Sequence, residues 1–560
     1  MYLVKVSDFL QMEGAPESHD VLKERGLLHE WKAGMFAIFV SHQWLGRQHP
    51  DPNGEQVAVL RQMLQGLING SLTVAGDLVS STYGQGKRLT SETRKQVECG
   101  YVFLDWFAIP QITARAKGVN EEVTKSDAAL AVKSIPSYVE AASLFVALVP
   151  FVPHADTKEW CSYTTWLARG WCRAELWLHM LSSKPDTSVI LVTSVPEAKF
   201  MFPLDWLENT IASGDFTVEE DRAVVVQLGQ RALESKIREH RQSGPLAVFR
   251  FYRAHQWKML GQKRSEWGVQ EFLDAFQFPS LEDAAKDQSS MSALMCAVFT
   301  GDSHMIRLLV ANRADVNIRA HGLSKAGYFD GQPLIVCAAK SHQPAHVLAT
   351  LCELRADVHA RMGLMGSTVA PMVRSREQLK VILDARADFH GHFDPAGHTP
   401  LGGACGMANS ETIAALLEVR CNPNPPLYGL GQSPLHHAIL FSRGNPSAFK
   451  IVQLLLEHGA DPNALTNPTG TFKWMSQAAQ AYEVIMGREN CSFLVRCYAI
   501  LTRLSPLGLA AFIGDPDLLQ LLLDFGAEAP VPNSRGDFPV DLARENGHFH
   551  LLPILNTFHV

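Results

Sequence analysis

One pattern recurs along the second half of this 560-residue chain. A short polar turn leads into a small-residue helix, a Leu-rich helix follows, and a loop reading Ala-Asp-x-Asn or close to it ends the unit. The helix openings are Ser292-Ala293-Leu294, Gln332-Pro333-Leu334, Thr399-Pro400-Leu401, Ser433-Pro434-Leu435, Ser505-Pro506-Leu507 and Phe538-Pro539-Val540. The endings are Ala314-Asp315-Val316-Asn317, Ala356-Asp357-Val358-His359, Ala387-Asp388-Phe389-His390, Cys421-Asn422-Pro423-Asn424, Ala460-Asp461-Pro462-Asn463 and Ala527-Glu528-Ala529. A helix pair of this size cannot bury its apolar stripe alone, so recurrence predicts a stack in which each unit packs on the next.

Local chemistry agrees with that stack. Pro400, Pro434 and Pro506 suit the first helical turn, where a missing N–H is no loss. Gly459 and Gly526 follow Leu-rich helices, at the place of a left-handed cap. Leu454-Leu455-Leu456 and Leu521-Leu522-Leu523 supply the stripe. Successive Asp/Asn positions lie about 31 to 42 residues apart, against about 33 for an ankyrin unit, and the last interval is about double. These residues resemble the ankyrin-repeat family. The resemblance predicts an all-α solenoid over residues 286–560, of about seven units, with an insertion near 465–501. The unit from Gly366 to His390 lacks the usual opening and reads as degenerate, and Gly536 to Leu555 reads as a terminal cap. An ankyrin array implies a protein partner in its groove and brings no reacting group of its own.

The first half reads differently. From about Ala33 to Glu197, apolar runs alternate with helical stretches, the mark of a parallel α/β sheet. Strands are expected at Met35 to Val40, Tyr101 to Leu104, Leu144 to Val149 and Ser188 to Val192. Helices are expected at Glu55 to Leu67, Ser134 to Ala142 and Cys172 to Leu181. Ligands of such sheets bind at strand ends. The first strand runs into Ser41-His42-Gln43-Trp44, the second into Asp105-Trp106 and Ile109-Pro110-Gln111. After the third come Tyr163 and Trp171-Cys172-Arg173-Ala174-Glu175-Leu176.

The order of these landmarks is similar to Toll/interleukin-receptor/resistance (TIR) domains. Asp105-Trp106 with Ile109-Pro110-Gln111 also resembles the related heterokaryon-incompatibility module. The resemblance implies a flavodoxin-like domain over residues 1–199. Trp171 and Glu175 match the W-x-x-x-E spacing of the enzymatic members, whose glutamate cleaves NAD; Glu175 is the candidate catalytic residue on that basis. Ser41, His42, Trp44, Asp105, Trp106 and Trp171 are candidates for substrate contact. NAD is expected as substrate and no resident cofactor is expected. A carboxylate beside the ribose suits this chemistry, because the leaving pyridine is already cationic and the sugar develops oxocarbenium character. The alternative is a non-catalytic scaffold in which this domain only self-associates or docks.

Residues 200–285 read as a helical connector, with a long helix from Asp221 to Arg241 and then aromatics from Phe249 to Trp267. Net charge is -7, which leaves no basic excess for nucleic acid. The most apolar run, Ala141 to Val152, is too short to span a bilayer. The ten cysteines form no C-x-x-C pair, and no His cluster accompanies them, so no metal is expected. A reduced, cytoplasmic setting fits that usage. The expectation is an intracellular signalling protein or adaptor.

Overall fold

The computed structural model describes residues 1–82, 84, 86–111, 121–262, 267–362, 366–391 and 394–557. The chain divides into two compact units. The first comprises Met1–Ala232 together with Tyr482–Arg496 and Arg544–His550, and the second holds the remaining described residues from Leu233 onward.

The first unit is built on an eight-stranded sheet. Its strands are β1 (Tyr2–Lys5), β2 (Leu28–Glu30), β3 (Ala37–His42), β4 (Val74–Ala75), β5 (Tyr101–Phe103), β6 (Leu144–Leu148), β9 (Val189–Ser194) and β10 (Glu197–Phe200). A separate two-stranded ribbon pairs β7 (Val152–Pro153) with β8 (Trp160–Cys161). Across the sheet the order is β2-β1-β5-β3-β6-β9-β10-β4. The central four strands, β5-β3-β6-β9, are mutually parallel. The remainder departs from the all-parallel expectation: β1 is antiparallel to β2 and β5, and β10 is antiparallel to β9. The physical reason is connection length. Between β9 and β10 only Val195 and Pro196 intervene, and a tight hairpin can join only antiparallel strands.

Burial explains why the central strands form. Every residue of β3, β6 and β9 is buried, as expected for strands covered on both faces. Phe39 stacks between Phe103 and Phe145, with ring centroids 4.7 and 5.3 Å apart. Helices Glu55–Asn69, Glu121–Ala141 and Gly170–Met180 supply the crossovers. In strand sequence, the parallel core runs second-first-third-fourth. The order in which strands are added across the sheet therefore reverses beside β3, the switch point where an open α/β sheet leaves a crevice at its carboxyl ends.

In the second unit the helix pairs recur. First helices start at Ala293, Leu334, Pro400, Pro434 and Pro506, and second helices run Ser303–Ala311, Ala345–Glu353, Arg376–Asp384, Ser410–Glu418, Ala448–Glu457 and Pro516–Asp524. Ser292, Thr399, Ser433 and Ser505 cap the first helices by accepting a backbone N–H, which satisfies a donor that would otherwise be orphaned. The degenerate unit has only a 3-10 turn, Ala370–Met372, where the others have a first helix. The insertion folds as two helices, Gly470–Met486 and Phe493–Ile500, of which the stretch Tyr482–Arg496 groups with the first unit.

The repeat-ending motif has two jobs. The Asp or Asn side chain accepts the N–H two residues on, as Asp315 does from Asn317 and Asp461 from Asn463, and so closes the loop. The terminal Asn then reaches into the next unit. Asn317, Asn424 and Asn463 accept the amides of Asp357, Asp461 and Glu528, each at 2.8–2.9 Å. Asn424 and Asn463 also donate to Gly459 O and Gly526 O, at 2.7 and 3.0 Å. Asn424 and Asn463 thus tie their loops to the following unit both as acceptor and as donor.

Candidate functional site

At the carboxyl end of β3, Ser41 and His42 point to different partners and define two linked clusters. Ser41 Oγ donates to Glu175 Oε2 at 2.5 Å and accepts from the Trp166 indole at 3.1 Å. Glu175 comes from helix Gly170–Met180, which lies between β6 and β9 in sequence. Trp166 is fully buried in the short helix Tyr163–Ala168, whose start is fixed by a capping box between Ser162 and Thr165. Two helices therefore aim a carboxyl and an indole at one strand-end hydroxyl.

The second cluster is ionic. His42 Nε2 lies 2.9 Å from Asp105 Oδ1, and the Trp44 indole donates to Asp105 Oδ2 at 2.8 Å. The Trp106 amide donates to Asp105 Oδ1 at 2.7 Å. On the other side of the ring, His42 Nδ1 faces Gln56 Oε1 at 3.0 Å. Gln56 commits its amide nitrogen to Gln43 O, so its oxygen is what meets the imidazole. Both ring nitrogens then face acceptors, which only the doubly protonated ring satisfies. Burial lowers the affinity of His42 for a proton, yet the Asp105 charge and hydrogen bond outweigh it and the pKa is raised. Burial likewise pushes Asp105 up, but His42, Trp44 and the Trp106 amide hold its carboxyl below the ordinary value.

Glu175 behaves in the opposite way. Burial, reinforced by the Asp105 charge, pushes its carboxyl up to about 8, against a smaller lowering by the Ser41 hydrogen bond and by His42. The hydrogen bonds thus favour an imidazolium–carboxylate pair, standing beside a Glu175 carboxyl pushed up to about 8. Carboxyl groups separated this way by environment are prepared for different roles.

Not every candidate joins this arrangement. Ser41, His42, Trp44, Asp105 and Glu175 do. Trp106 contributes its backbone; its indole donates to Pro16 O and its ring packs edge-on to Trp44 with centroids 5.8 Å apart. The Trp171 indole donates to Asp221 Oδ2 at 2.9 Å, which directs it to the long helix Asp221–Ser243. Two contributors carry no motif, Trp166 and Gln56, and Cys172 of the Trp171–Leu176 motif adds a thiol that meets His42 O at 3.5 Å. Gln56 is the second residue of helix Glu55–Asn69 and is buried there, and nothing in the sequence separates it from the other polar residues of that helix.

Elsewhere among the described residues, no group of His, Cys, Asp and Glu is placed to hold a metal, and no helix is long and apolar enough to cross a membrane.

The comparisons with known proteins bear on the second half. Ankyrin-repeat family models match residues 290–321 and, as three copies, residues 370–466. Over 168 residues the chain is 27% identical to a Danio rerio protein named "Putative palmitoyltransferase ZDHHC13", covering 28% of this chain and 24% of that one. Over 125 residues it is 30% identical to Danio rerio ankyrin repeat and SOCS box protein 11, covering 22% and 40%. The matched span is less than half the length of either relative. The human ASB11 ankyrin repeat domain aligns with 47% of this chain and 97% of its own, at 19% identity and a TM-score of 0.33. The second half carries ankyrin repeats, and these are protein-interaction modules.

Proposed function

We propose that this chain is an adaptor whose ankyrin repeats hold a protein partner and whose α/β unit carries a separate chemical site. The observation that supports the adaptor role is a set of three Asn ties, from Asn317, Asn424 and Asn463, each reaching the following loop at 2.7–3.0 Å. They fix successive loop tips relative to one another, and a pre-organised surface binds without first being ordered. The test is partner capture by crosslinking in cells, comparing wild type with a variant carrying His321→Ala, Lys325→Ala and Tyr428→Ala at exposed loop tips. The reading expects specific crosslinks that vanish in the variant. Identical crosslinks in both would refute it.

A second reading assigns chemistry to Glu175: hydrolysis of the bond between nicotinamide and ribose in NAD by a TIR-like domain that acts on assembly, nicotinamide leaving with the bonding electrons and water adding to the ribosyl carbon with loss of a proton. It is supported by the Ser41–Glu175 pair standing beside His42–Asp105 at the carboxyl end of the parallel strands. A cationic nicotinamide next to Glu175 favours ionisation of the carboxyl, and the carboxylate then stabilises the developing oxocarbenium charge. Ser41 holds that carboxylate in place. The full chain at high concentration is expected to release nicotinamide from NAD, with Glu175→Ala lowering the rate on the order of 100-fold. Release that survives the substitution, or none from wild type, would remove the reading and leave the scaffold alternative.

A further inference from the structure

We infer that four arginines, Arg313, Arg355, Arg386 and Arg420, form a docking row for an extended acidic segment of the partner protein. The inference rests on the adaptor reading and adds the chemistry of what is held.

Each of these residues follows the last turn of a second helix, where the chain turns left-handed. The φ angles are 72°, 67°, 63° and 64°. In two later units the same place is taken by Gly459 and Gly526, at 82° and 85°. Glycine enters this region freely, whereas a side chain there crowds the neighbouring carbonyl. Four consecutive units therefore keep an arginine where the backbone favours glycine. A residue held against its backbone preference is a pointer to function.

The guanidiniums are also uncommitted. All four residues are exposed, and among the described residues no ion pair or side-chain hydrogen bond is formed by any of them. Other arginines of the array are tied across units, as Arg307 is to Glu353 and Arg376 to Glu418. Stacking thus has its own basic residues. Nearby Asp315, Asp357 and Asp388 are engaged with the amides of Asn317, His359 and His390 in their own loops. In the fourth unit Asn422 does this work without a charge.

Spacing selects the ligand. The four second helices pack in order, each on the next, and packed helices lie about 8–10 Å apart. An extended chain in the polyproline-II conformation advances about 3.1 Å per residue with three residues per turn, which brings every third side chain back to the same face. Successive arginines therefore match side chains about three residues apart, and each guanidinium fork fits a carboxylate bidentately. The occupant is a stretch of about ten residues with Asp or Glu at every third position. A nucleic acid carries charge along its whole backbone and would meet the flanking aspartates as well, within a chain of net charge -7. A peptide with spaced carboxylates avoids them.

The test uses the full chain and a fluorescent peptide of about 12 residues, with Glu at every third position and Gly/Ser between, read by anisotropy. Wild type is expected to bind it, more weakly as salt rises. The quadruple Arg313→Gly, Arg355→Gly, Arg386→Gly, Arg420→Gly variant is expected to lose affinity by about 30-fold or more, while its Tm stays level or rises. Replacement of all four by lysine should cost less than replacement by glycine, since charge remains and only the fork is lost. Equal binding by wild type and the glycine variant would overturn the inference. So would equal binding of a peptide with its four Glu residues contiguous, or tighter binding of single-stranded DNA than of the peptide. Failure here is separable from failure of the adaptor reading. If the arginine variant still crosslinks its cellular partner and the loop-tip variant does not, the row is wrong and the adaptor stands.

Discussion

The repeat array and the α/β unit solve the problem of placing side chains in contrasting ways. In the array one local solution is reused: a cap, a Leu-rich stripe, a left-handed turn and an Asn tie, each reaching only the neighbouring unit. In the α/β unit the site draws on residues 41–44, 56, 105, 166 and 175, brought together by sheet topology. Damage to the array should therefore stay local and scale with burial. Damage to the site should instead show in pH dependence and chemistry.

The largest effect is expected in the array core. Leu455 is fully buried on helix Ala448–Glu457, so Leu455→Ala should cost about 3 kcal/mol in chemical denaturation. Hydrogen exchange should quicken in the adjoining repeats and leave β3 and β6 protected. Uniform loss of protection would break the contrast. Asn463→Ala removes both an acceptor for Glu528 N and a donor to Gly526 O, and about 1–2 kcal/mol is expected from the same measurement.

A pH signature comes next. Below about pH 4.5 the Glu175 carboxyl is protonated whether the chain is folded or not. As pH rises the unfolded chain ionises first, because the folded value is raised to about 8. Stability should fall across that window and level off above it. Glu175→Gln should flatten this part of a Tm-against-pH profile, and an unchanged profile would show that the carboxyl is not held neutral. The smallest effect is Arg355→Gly, where relief of the left-handed side chain slightly exceeds the entropy of a freer unfolded chain, for a gain of about 0.5 kcal/mol.

Much of the array was legible because repetition makes each residue's job visible several times over. Pro400, Pro434 and Pro506 announced the helix starts, and Gly459 announced a left-handed turn. The arginines at the same turn went unread, since nothing in an arginine signals positive φ. In the α/β unit the buried strands were legible as apolar runs, whereas β1, β2, β4 and β10 are two to four residues long, too short for a period to register. The antiparallel pairings of this sheet all involve β1 or β10, while β4 pairs parallel with β10. The strand-end residues of the site could be named from position. Trp166 and Gln56 could not, because their roles depend on helices packed from elsewhere. Trp171 shows the converse: a motif residue four positions from Glu175 whose indole goes instead to Asp221.

We propose that holding and chemistry belong to separate parts of the chain, and side-by-side partner crosslinking can tell them apart. Glu175→Gln should crosslink its partner as wild type does, while the loop-tip variant should lose the partner with its fold intact. Loss of the partner in Glu175→Gln, together with its retention in the loop-tip variant, would place binding at the strand ends and contradict the account.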